Sequence, residues 1–154
     1  MPQAPPASRR CLVALFLTLL SATACGHTDT DLPTQQNEPS VDSVRLMVGA
    51  QTITVSRNGA VTGGPIVITL PTALTITASF LNAAGSQDPV AHGGRFQLDV
   101  TPDSTSTVTF TRVSAFVGTL TGVAAGSTNV AVSLFHIGDG DTDFGPFPVA
   151  VTVN

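Results

Sequence analysis

From Val41 onward apolar residues return at every second position in one short run after another, with turn residues between the runs, and no stretch repeats them with the 3.6-residue period of a helix. A period of two turns one face of a strand toward a core and the other toward solvent, so this part of the chain is confined to β structure. Val44, Leu46 and Val48 alternate, Gly49-Ala50 interrupts, and Ile53 with Val55 resumes ahead of Arg57-Asn58-Gly59. Asn-Gly tolerates the positive φ angles of a tight turn. Ile66, Ile68 and Leu70 follow Gly63-Gly64-Pro65, and the cleanest amphipathic run comes next, with Leu74, Ile76, Ala78 and Phe80 inward against Thr75, Thr77 and Ser79 outward. Asn82 to Gly94 reads as a loop. Phe96, Leu98 and Val100 alternate with Gln97 and Asp99, and Thr101-Pro102-Asp103-Ser104 turns the chain. Val108 with Phe110, Phe116 to Leu120, Asn129 to Ile137 and Phe147 to Val153 complete an expected seven to nine antiparallel strands, the last of them a candidate open edge. Threonine and serine fill most polar positions, and threonine's branching at Cβ suits the pleat.

The front of the chain follows a different pattern. Arg9 and Arg10 precede apolar residues from Cys11 to Leu20, and the small residues Ala22-Thr23-Ala24 lead to Cys25. The 14 residues from Cys11 to Ala24 are fewer than the roughly 20 that a helix needs to cross a bilayer, so residues 1–24 are expected to be a signal peptide that is cleaved. This segment resembles a bacterial lipoprotein signal with its lipobox, Ala22 standing where that family usually has Leu. The resemblance implies acylation of Cys25, palmitate-type chains each adding about 0.8 kcal/mol of membrane affinity per buried CH₂. The absence of Asp after Cys25 is, by the same resemblance, compatible with the outer membrane. An ordinary signal peptidase reading Ala22 and Ala24 gives a secreted protein instead. Ser8-Arg9-Arg10-Cys11-Leu12-Val13 also partly matches a twin-arginine export motif, although two arginines equally serve as a positive n-region. Residues 25–40 carry Pro33, Pro39, Gln35, Gln36, Asn37, Asp29 and Asp31 with almost no large apolar group, and are expected to form a disordered tether. A flexible linker of about 15 residues reaches roughly 20 Å.

Loss of residues 1–24 leaves four Arg against ten Asp or Glu and no Lys, a formal charge of −6. Nucleic acid and anionic lipid head groups need clustered cations, so neither is expected as a partner. Cys25 is then the one cysteine left, which excludes an internal disulfide and makes the domain rely on its core.

Residues 41–154 have the strand count and size of an immunoglobulin-like β-sandwich. Gly118-Thr119-Leu120-Thr121-Gly122-Val123-Ala124-Ala125-Gly126-Ser127-Thr128-Asn129-Val130-Ala131-Val132 resembles the bacterial Ig-like domain, group 2, in which a strand ends in Gly-x-Leu-Thr-Gly-Val and an alternating valine strand follows a second Gly. Gly122 and Gly126 are expected to supply backbone angles that let the chain change sheets, and Phe96 to stand where the family often has Trp. The resemblance implies a cell-surface, adhesive or spacer module.

His136-Ile137-Gly138-Asp139-Gly140-Asp141-Thr142-Asp143 is the densest cluster of ligand-type side chains. Alternating aspartates suit a hard cation such as calcium, and the addition of His136 suits zinc. A solvated acidic loop between two strands is the plainer account. Parity turns His136 inward, where bonding to a backbone carbonyl is expected, and His92 would extend a zinc or copper site if the fold brought it near. Nucleophilic catalysis has little to work with. Cys25 is expected to be capped, no Gly-x-Ser-x-Gly elbow occurs, and Glu38, the sole glutamate, lies in the tether. Gly63-Gly64-Pro65 lacks the Lys and helix of a phosphate loop. The sequence therefore points away from an enzyme and any resident cofactor. It points to a lipid-anchored cell-envelope module with a protein or glycan partner, or alternatively to a divalent-metal-binding surface domain using His136, Asp139, Asp141 and Asp143.

Overall fold

Each alternating run becomes a strand. The computed structural model describes residues 38–154, and among them are ten strands and no helix. In chain order these are β1 (Ser43–Val48), β2 (Gln51–Ser56), β3 (Val61–Thr62), β4 (Ile66–Ile68), β5 (Ala73–Leu81), β6 (Phe96–Pro102), β7 (Val108–Ser114), β8 (Val117–Gly122), β9 (Gly126–His136) and β10 (Thr142–Val153). Six form one sheet in the order β3-β2-β1-β5-β8-β7, and four form a second in the order β4-β10-β9-β6. Val44, Leu46, Ile53, Ile76 and Leu120 of the first sheet and Ile66, Leu98, Val132, Leu134 and Val151 of the second are all fully buried in a single cluster. The sheets thus share one core, each such side chain contributing about 1.5–3 kcal/mol of burial.

Three features differ from the pattern expected of the sequence. There are ten strands, because β3 is two residues long and too short to display an alternation. The sheets are not wholly antiparallel, since β4 runs parallel to β10 with Val151 opposite Ile66 and Val153 opposite Ile68. The break at Gly63-Gly64-Pro65 carries the chain from the rim of the larger sheet, at β3, to the rim of the smaller one, at β4. Finally, the stretch Phe147 to Val153 is not open along its whole length: β10 lies between β9 and β4, the latter pairing with Val151 to Val153, and β10 starts at Thr142, with register shifts on either side of Phe144 that leave this ring 2% exposed in the core.

The outer rim of β4 is closed by a side chain. Gln51 donates from Nε2 to the Pro65 carbonyl at 3.0 Å and accepts the Val67 N–H on Oε1 at 2.9 Å. One amide thereby makes both bonds that a neighbouring strand's peptide groups would make.

The crossing between sheets predicted at Gly122 and Gly126 is present, β8 belonging to the larger sheet and β9 to the smaller. Only Gly126 is there for its angle, with φ at +151°. Gly122 is there for space, because a Cβ would stand 2.9 Å from Val153 Cγ1 and 3.1 Å from Leu70 Cδ2.

Residues 38–40, assigned to the tether, are held by the domain: Pro39 is buried and the Ser40 N–H donates to Asp88 Oδ2 at 3.1 Å. The signal peptide, Cys25 and the tether up to Asn37 lie outside the described residues.

Candidate functional site

β9 turns into β10 through the segment that carries His136, Asp139 and Asp141. Strand parity sends His136 inward, as its position in the alternation predicts, and the imidazole is 2% exposed. Phe96, directly across on β6, stacks on it with ring centres 4.5 Å apart and planes at 20°. The expected backbone carbonyl is not its partner. Nδ1 instead lies 3.0 Å from Asp139 Oδ2 and 3.7 Å from Asp141 Oδ1. Two main-chain bonds shape the turn that delivers these carboxylates, His136 N–H to Asp141 O at 2.9 Å and Gly140 N–H to His136 O at 3.0 Å. One ligand-type atom from each of the three residues falls within 4.8 Å of the others.

Asp143 stands outside this trio. Its carboxyl pairs with that of Glu38, and its pKa is pushed up to about 6, by burial first, then by the hydrogen bond and charge of Glu38 and the charge of Asp141, with His136 opposing. A carboxylate beside two others holds its proton more tightly.

His92 is engaged elsewhere. Its Nε2 accepts the Phe80 N–H at 3.0 Å, and its ring packs against Phe116 with centres 4.3 Å apart. Burial lowers its pKa, and Asp88 opposes that shift. The folded state therefore resists a proton that the unfolded chain accepts near pH 6.5, so His92 adds stability that is present above this pH and lost as pH falls. Asp143, with its raised pKa, works in the opposite sense over the same range, so chemical denaturation at pH 7.5 and 5.5 should show acidification to be more unfavourable to the wild type than to His92→Asn; an equal change in both proteins would refute the assignment.

Asp88 organises the loop that carries His92, a role its sequence signals only as a turn. It is 4% exposed, and its Oδ1 accepts the N–H groups of Val90 and Ala91 at 2.9 and 2.8 Å. The dipeptide Asp88-Pro89 is a turn-starting pair. A separate groove of about 420 Å³ runs beside the Gly63-Gly64-Pro65 break, with Val61, Pro148 and Ala150 in its walls and no titratable side chain.

No family model matches this chain, and no curated protein matches it. Among solved structures, the chain is similar to the S-layer protein SbsC domains 4 and 5. The two share 19% identity with a TM-score of 0.44 over 70% of this chain, and this chain spans 64% of the length of that structure. An all-β domain of two sheets is what the fold itself establishes.

Proposed function

We propose that this protein is a lipid-anchored module of the bacterial cell envelope, at the outer membrane, tethered through Cys25. Its immunoglobulin-like sandwich then serves a binding, adhesive or structural role toward a protein or glycan partner rather than a catalytic one. The observation that carries this reading is Ala22-Thr23-Ala24-Cys25 behind paired arginines and a short apolar run, followed by a polar stretch that ends where Pro39 and Ser40 meet the domain. The sheet-to-sheet crossing within Gly118 to Val132 supports the immunoglobulin-like assignment, since the resembling motif falls on it. The uncharged groove beside Gly63 and the formal charge of −6 after cleavage favour a neutral partner surface over nucleic acid.

Expression in a bacterial host fed an alkyne analogue of palmitate tests the anchor. The wild type should take the label and sediment with membranes, while Cys25→Ser should lose the label and move to the soluble fraction. A wild type that is never labelled and is recovered soluble outside the cytoplasm establishes plain secretion in its place.

A further inference from the structure

We propose that His136, Asp139 and Asp141 bind one zinc ion, through Nδ1 and one oxygen of each carboxylate, with water in the fourth position. The site is independent of how the chain is anchored. Four-coordinate zinc holds nitrogen and oxygen donors at about 2.0–2.2 Å, which sets neighbouring donors about 3.3 Å apart at tetrahedral angles. Nδ1 already lies 3.0 and 3.7 Å from the two carboxylate oxygens, on either side of that spacing.

The imidazole supplies an observation independent of the acidic loop. It is 2% exposed and its plane is fixed by stacking on Phe96, so the direction of Nδ1 is set outside the acidic loop, while the buried Nε2, on the far edge of the ring, is the nitrogen that carries the proton when Nδ1 holds a metal. Asp139 alone is within hydrogen-bond distance of Nδ1, with Asp141 just beyond it, and strand register and packing aim Nδ1 at both. A ligand whose direction is set by a rigid element needs little reorganisation on binding. The carboxylates are 46% and 67% exposed, so they can close the remaining donor spacing by rotation and leave a side open to water. A neutral imidazole with two carboxylates carries two negative charges, matching a divalent ion. Calcium fits less well, because it takes six to eight oxygen donors and gains little from a nitrogen.

The test uses the untagged full chain, stripped with a chelator and titrated with zinc alone in a calorimeter. One ion per chain should bind, the thermal midpoint should rise, and the double variant Asp139→Asn/Asp141→Asn should bind at least tenfold more weakly while its circular dichroism stays unchanged. Both substituted side chains are exposed, and asparagine keeps an acceptor oxygen for Nδ1, so the fold is preserved. Cobalt in place of zinc should give the intense visible bands of a four-coordinate ion. Absence of zinc binding, equal binding by the double variant, a six-coordinate cobalt spectrum or displacement by equimolar calcium would each overturn the assignment.

Discussion

Phe80→Ala is expected to lower the unfolding free energy by about 3–5 kcal/mol, the usual cost of emptying a large aromatic site in a closed core. Phe80 sits on β5 with no exposed surface, and its ring meets Phe116 and Phe144 edge-on, with centres 6.1 and 5.9 Å away. Phe144 comes from the opposite sheet, so the lost ring had bridged both layers. A domain of this size has about 5–15 kcal/mol in all, and the variant should melt roughly 12–20 °C lower. Phe80→Leu, which keeps much of the volume, should cost well under half as much. Calorimetry on the three proteins decides the matter, and a loss below about 1 kcal/mol for the alanine variant would mean that the two sheets do not meet through this ring.

Gly63→Ala should rival that effect without touching the core. Gly63 has φ at +81°, and a Cβ on it would stand 2.1 Å from the Thr52 carbonyl oxygen of β2, a main-chain atom that cannot swing aside. The left-handed angle alone costs about 1–2 kcal/mol for a residue with a Cβ, and relieving the clash by moving two strands adds about 1–3. Gly85 offers the control, since its φ is +74° and a Cβ there meets nothing within 4 Å. Gly85→Ala should therefore show the angular cost alone. Denaturant midpoints that fall equally in the two variants would show that the approach of Gly63 to β2 is not tight in solution.

Strand positions were legible because burial alternates with the period the residues announce: Ile76, Ala78 and Phe80 are buried, with Thr77 and Ser79 only half so. Pairing was not legible. Ile66 of β4 lies beside Val151, a contact between distant parts of the chain that no local run of side chains encodes, and the same residues would have suited an antiparallel neighbour. The acidic turn was readable in part. Parity alone placed His136 inside, yet the withdrawal of Asp143 toward Glu38 depends on where the chain enters the domain, which the composition of the turn does not specify. His92 illustrates the limit from the other side, as a loop histidine whose acceptor role toward Phe80 emerges only once the loop has folded back on β5.

The amide of Gln51 has a meaning beyond the stability of one rim. The outer row of unpaired N–H and C=O groups on a sheet margin is a template on which another chain can add a strand. By saturating Pro65 and Val67 from within, Gln51 takes the rim of β4 out of that role and leaves β3, β7 and β6 as the other sheet margins.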